Sequence, residues 1–258
     1  MSKKEEKSVK ETTIEGITEI IEKSGYVLEI DIDELLRNNG WDVFFQYPYH
    51  DKKEGKLRKA DLLGFRQKVI SLESFTKPDM LRMILVAECK KSTKHGWAFH
   101  TIKKEGSQVA LWVLADFITR FKNNKVLQNI TAVQSQIPLV DIHIFRAETR
   151  VGTMCCIPPN HPDDFNEALN QVLSDIIWLK EDFSNSMIFP IIVFDGPIWE
   201  FYKENGQLKV QDINYIQYLS TTLEKNTVSP YLIDVVKSSY FSTFLPMLNK
   251  TVELLSKI

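Results

Sequence analysis

Cysteine is scarce in this chain: Cys89, Cys155 and Cys156 are the only three in 258 residues. The adjacent pair Cys155 and Cys156 rarely bond to each other, and no CxxC pair is present. Neither a disulfide framework nor a zinc knuckle is therefore expected. His95 and His100 stand five apart, which is not the i,i+4 spacing of a helical zinc site. This cysteine usage suits a reducing compartment, and a cytoplasmic location is expected. Long apolar runs are missing as well. A run such as Pro190–Phe194 is far short of the roughly 20 residues that a spanning helix needs, so no membrane association is expected. Neither sign of charge dominates. Lys and Arg number 32 against 34 Asp and Glu, for a formal net charge of −2. Any nucleic-acid partner must then be met by a local basic patch. No GxxxxGK[ST] loop and no GxGxxG after a strand occurs, which removes P-loop motors and dinucleotide enzymes of those types. Signatures of Ser or Cys nucleophiles are also absent.

What is present is an ordinary globular composition, 43% hydrophobic and 26% charged, in a chain long enough to bury a sizeable core. Residues 1–12 are rich in Lys, Glu, Ser and Thr, lack the apolar centre of a signal peptide, and read as a disordered tail. Ile14, Ile17, Ile20 and Ile21 have helical spacing. A second helical pattern spans 25–40 and ends at Gly40, a natural C-cap. The aromatic stretch 41–49 reads as a strand, 50–59 as a charged turn, and 60–66 as the returning strand. Residues 101–121 read as a helix with Val109, Trp112, Val113, Phe117 and Phe121 on one face. Further on, 151–157 reads as a strand, 161–183 as a helix, 187–196 as a buried strand and 197–213 as a hairpin on Asn205-Gly206. An amphipathic helix closes the chain. The alternation of strands and helices predicts an α/β protein with a mixed sheet.

The chemistry concentrates in Ile84–Ser92, ILVAECKKS. An apolar strand ends in an acid and a base two residues apart. Strand side chains alternate between faces, so Glu88 and Lys90 share one face while Leu85, Ala87 and Cys89 share the other. Upstream, Asp61 stands near the start of the preceding strand and Glu29 in the second helix. Two carboxylates on neighbouring strand ends suit Mg²⁺, which prefers oxygen ligands and keeps several waters; the backbone carbonyl of Cys89 is a further candidate ligand. Lys90 beside such an ion can orient or deprotonate the attacking water and offset transition-state charge.

The order helix with Glu29, then RKADLLGF with Asp61, then LVAECKKS with Glu88 and Lys90, resembles the PD-(D/E)xK nuclease superfamily. The residue before Asp61 is Ala60 where Pro is common. The resemblance covers roughly residues 24–120. It implies a restriction-endonuclease-like core in αβββαβ order over 13–160, with 161–258 a C-terminal extension packed on or continuing the sheet. It implies a Mg²⁺-dependent endonuclease, with Mn²⁺ able to substitute, acting on DNA (RNA not excluded) in restriction, defence or repair. Asp61, Glu88 and Lys90 match the motif, Glu29 matches an acid of the first core helix, and Gln108 more weakly matches a polar accessory residue. Members that cut both strands commonly pair, so a homodimer is an expectation, with 199–202 and 215–219 as candidate faces.

Two basic clusters flank the motif. Lys56, Arg58 and Lys59 lie in the first, and Lys91 and Lys94 in the second with Trp97 and Phe99 among them. The lysines and Arg58 are candidate phosphate contacts, and the two aromatics candidate stacking residues. The alternative reading is a catalytically inactive nuclease-like subunit that binds nucleic acid or assembles with partners. The plainest reading is an α/β scaffold in which Glu88 and Lys90 form only a strand-end salt bridge.

Overall fold

A computed structural model describes residues 13–51, 54–70, 79–92, 95–103, 150–159, 161, 163–183, 186–224 and 227–255. The elements are α1 (Ile14–Lys23), α2 (Tyr26–Asn38), β1 (Asp42–Asp51), β2 (Lys56–Ile70), β3 (Asp79–Lys91), β4 (Trp97–Lys103) and β5 (Arg150–Cys156). They continue with α3 (Asp164–Asp182), β6 (Ser186–Asp195), β7 (Ile198–Glu204), β8 (Gln207–Asp212), β9 (Tyr215–Glu224), β10 (Thr227–Lys237) and α4 (Phe241–Leu255). The ten strands among the described residues join one mixed sheet in the order β1-β2-β3-β6-β10-β9-β5-β4-β7-β8. The α/β class with a large mixed sheet flanked by helices is therefore observed.

Local chemistry sets the helix ends. Thr13 caps α1 by accepting a hydrogen bond from the Gly16 N–H at 3.1 Å. α2 stops at Asn39, and Gly40 follows with φ +80°. That left-handed conformation is inexpensive only for glycine, which makes Gly40 the expected helix stop. Leu28, Ile32 and Leu36 recur every four residues and form the buried face of α2.

The sheet has a helix layer on each side. α2 and α4 cover one face, over Leu62, Leu85, Ala87, Cys89 and Phe189. α3 covers the other, setting its own Phe165 and Ile176 over Leu63, Ile84, Val86 and Phe194. β3 and β6 lie inside the sheet and pair in parallel, Glu88 opposite Ile192. Burial on both faces is why each reads as a nearly unbroken apolar run. β6 to β10 belong to the same sheet as β1 to β5.

Two expectations change, the helix over 101–121 and the charged turn over 50–59. Residues 101–103 end strand β4 rather than begin a helix, and 104–149, with the rest of that predicted helix and Gln108, lie outside the described residues. The helix that brings the chain into β6 is α3. β1 and β2 run into the charged segment, leaving a turn at Glu54-Gly55. No helix among the described residues is long and apolar enough to cross a membrane.

A carboxylate and lysine cluster at a strand end

The antiparallel β2–β3 ladder runs from Ile70 opposite Asp79 to Leu62 opposite Ala87. One step further in the same register sets Asp61 against Glu88, and there the ladder stops. The β1–β2 ladder has a gap at the same level. Phe45 pairs with Leu62 and Tyr47 with Ala60, so Gln46 stands opposite Asp61 unpaired. Gln46 has φ +50°, a left-handed conformation uncommon for a residue with a Cβ. The site thus forms where two ladders open together and side chains replace backbone pairing.

The replacement bonds are explicit. The Cys89 N–H donates to Asp61 Oδ2 at 2.9 Å. A strand residue's carbonyl leaves on the same edge as its N–H, so the Cys89 carbonyl faces the Asp61 edge too. Gln46 Nε2 donates to Asp61 Oδ1 at 3.2 Å and to Glu29 Oε2 at 2.8 Å. Lys90 Nζ lies 3.3 Å from Glu88 Oε1 and 3.7 Å from Glu167 Oε2. The structure therefore brings Glu29, Asp61, Glu88 and Lys90 into one linked cluster. Leu85, Ala87 and Cys89 fall in one buried core and Ile84 and Val86 in the other, as the strand alternation requires.

Burial and like charge make the acids costly to ionise. Burial, then the charge of Asp61, pushes the Glu88 carboxyl up to about 9. Burial raises Asp61 against the lowering effect of the Cys89 N–H. Burial and then Asp61 raise Glu29. Lys90 feels burial downward, but the charges of Glu88 and Glu167 outweigh it and its ammonium sits above the ordinary lysine range. Glu88 Oε2 is buried and has no hydrogen-bond partner among the described residues. Acids held this way are relieved by a cation.

α3 adds a polar group behind the cluster. Asp175 is fully buried, and its Oδ2 also has no partner among the described residues. Gln171 Nε2 donates to Asp175 Oδ1 at 3.2 Å and to the Lys59 carbonyl at 3.0 Å. Arg58 Nη1 donates to Gln171 Oε1 at 2.8 Å. Burial pushes the Asp175 carboxyl up to about 7, and its charge in turn raises Glu88. The sequence reading missed Gln46, Gln171 and Asp175. Only Asp175 left a signal: an acid three residues after Val172 and four before Leu179, inside the apolar stripe of α3.

The proposed nucleic-acid contacts divide. Trp97 and Phe99 are 0% exposed. Trp97 stacks on Phe194 at 3.7 Å and donates its Nε1–H to Asp164 at 2.9 Å. Alternation along β4 points Trp97, Phe99 and Thr101 inward, so neither ring has a face to offer a base. Arg58 is taken up by Asp51 at 2.7 Å and Glu54 at 2.8 Å. Lys56 pairs with Glu54 at 2.5 Å, and Lys91 lies 3.9 Å from Asp195. Lys59 is exposed, and Lys94 lies outside the described residues. Nearby, Ser92 Oγ, His95 and Asp164 form a hydrogen-bonded row of 2.9 and 3.0 Å. Ser92 Oγ also accepts the His95 N–H at 3.2 Å, so the row closes a local turn and ties α3 to the end of β3.

Among the described residues, no group of three or more His, Cys, Asp or Glu could hold a metal ion as it stands. Asp61 and Glu88 are a pair, with Glu29 joined through Gln46. A pair still suits Mg²⁺, which is commonly held by one or two carboxylates and keeps waters in its other positions. The donor set of hard oxygens and the partnerless Glu88 Oε2 fit such an ion.

Fold and site together define an α/β protein with an acid, acid and lysine cluster at the open end of a central strand pair. No family model, curated protein or solved structure matches the chain.

Proposed function

We propose that this protein is a metal-dependent phosphodiesterase, an endonuclease acting on DNA, of the PD-(D/E)xK type. The observation that carries the reading is the facing of Asp61 and Glu88 where the β2–β3 ladder ends, with Lys90 against Glu88. The order of elements supports it. α2 precedes a β1–β2–β3 meander, and α3 leads into β6, which pairs parallel to β3. Taken in the order α2, β1, β2, β3, α3 and β6, with β4 and β5 falling between β3 and α3 in the chain, the elements are consistent with an αβββαβ core, with α3 and β6 in place of the helix over 101–121 and the strand over 151–157 expected within 13–160.

Asp61, Glu88 and the Cys89 carbonyl would hold Mg²⁺, or Mn²⁺ in its place. The bound ion supplies Lewis acidity toward the phosphoryl group and toward water. Lys90 keeps its proton in the ion-free protein, which favours a donor over a base. Its ammonium orients water and offsets charge that develops on the phosphoryl oxygens. Glu29 holds Gln46 against Asp61. Lys59 is the exposed candidate for phosphate contact. Cutting both strands with one such site per chain calls for two copies.

A second reading has its own support. Both Asp61 oxygens already have donors, and no ready-made ion cage exists among the described residues. This favours a nuclease-like subunit that binds nucleic acid or assembles without cutting. Cleavage of supercoiled plasmid and of single-stranded DNA in Mg²⁺ or Mn²⁺, wild type beside Lys90→Ala and Asp61→Ala, separates the two. Metal-dependent nicking lost by at least about a hundredfold in both variants is expected for the enzyme. No cutting, together with no calorimetric metal binding, favours the second reading.

A further inference from the structure

Gln46 carries more than a role in spacing two acids. It breaks the β1–β2 ladder in mid-strand with a left-handed backbone. The other non-glycine residue with positive φ among those described, Asn205, lies in the β7–β8 turn, where that conformation is ordinary. A strained residue inside a strand, beside a cluster of acids, is a candidate for a functional part. Its amide reaches Glu29 on the helix and Asp61 on the strand at once. Ionised carboxylates only accept hydrogen bonds, so the NH₂ end of the amide has to face them.

The rest of the acid pair shows what this amide occupies. Asp61 Oδ2 takes the Cys89 N–H, Asp61 Oδ1 takes Gln46, and Glu88 Oε1 faces Lys90. Of these four oxygens, Glu88 Oε2 alone has no donor among the described residues, and Glu88 is 5% exposed. A cation that joins Asp61 to Glu88 has one vacant oxygen to take and must compete for the other.

We propose that the Gln46 amide is a tethered stand-in for a divalent cation: it bridges Glu29 and Asp61 in the ion-free protein and leaves Asp61 when the cation binds. This rests on the metal-site reading above and adds that the chain carries its own competitor, which sets the cation affinity. The two N–H groups offset the repulsion between Glu29 and Asp61, as the ion would. The price is that each binding event must break the Gln46–Asp61 bond.

Mn²⁺ alone, titrated by calorimetry into wild type, Gln46→Ala and Gln46→Asn, is the test, with thermal unfolding of each protein with and without Mn²⁺. Gln46→Ala should bind Mn²⁺ about tenfold more tightly, since one charge-assisted hydrogen bond no longer has to be broken. Its ion-free melting temperature should fall, and its Mn²⁺-induced rise should exceed that of wild type. Asn tolerates the left-handed backbone but is one methylene shorter and cannot span both acids. Gln46→Asn should therefore bind like Gln46→Ala, and it keeps the test open if the Ala variant folds poorly. Equal or weaker Mn²⁺ binding by both variants overturns the stand-in while leaving the metal site intact. Absence of Mn²⁺ binding in all three proteins overturns both.

Discussion

Asp175→Asn should stabilise the protein, and increasingly so as pH rises. The carboxyl is fully buried and has one partnerless oxygen. Its folded pKa is about 7, against 3.8 for the free group. A folded value above the unfolded one means that the native state holds the proton more tightly. The stability contribution is then complete below about pH 4 and is lost as pH climbs through about 7. A difference of about three pH units corresponds to about 4 kcal/mol once the group is fully ionised, at 1.36 kcal/mol per unit. Asn keeps an oxygen to accept from Gln171 and cannot ionise. It also removes the Asp175 charge that raises Glu88. Urea unfolding of both proteins at pH 5, 7 and 8.5 is the assay. The gap should be near zero below about pH 4, reach about 1–2 kcal/mol by pH 5, and grow by the equivalent of a further 2–3 kcal/mol, roughly, by pH 8.5. Other titrating groups are common to both chains and largely cancel in the gap. A gap that stays constant with pH, or an Asn variant less stable at pH 8.5, would refute the burial argument.

Other outcomes follow from the same geometry. Trp97→Ala should cost about 3–5 kcal/mol of stability in denaturant unfolding, as truncation of a large core aromatic does. The salt dependence of any DNA binding by that variant, followed by fluorescence anisotropy, should stay unchanged, because the ring reaches no solvent. Glu88→Gln should leave the ion-free melting temperature near that of wild type at pH 7, since a carboxyl with a pKa of about 9 is already mostly protonated there. The same variant should lose the Mn²⁺-induced rise in melting temperature. A large fall in the ion-free value would show that Glu88 is charged in the native protein.

The covalent pattern of the chain was enough to place Glu88 and Lys90 on one face and Cys89 on the other, because strand alternation is a local rule. The end of α2 at Gly40 and the hairpin on Asn205-Gly206 follow from backbone preferences that act within a few residues. Pairing across strands is not local. That Asp61 faces Glu88 depends on the register of β2 against β3, which pair from Ile70 opposite Asp79 onward. That Gln46 faces Asp61 depends on a break in a second ladder. The inward turn of Trp97 and Phe99 was visible as period-two spacing, but the lysines around them pointed to a nucleic-acid contact. Asp175 reaches the cluster only because α3 packs over the β3 face before the chain enters β6. Sequence alone determined which residues carry charge, which stretches must be buried and where several elements stop. The tertiary structure decided which charges meet, how far they are withdrawn from water and which of their oxygens lack a donor. Those quantities depend on distances between segments far apart in the chain, and no local preference specifies them.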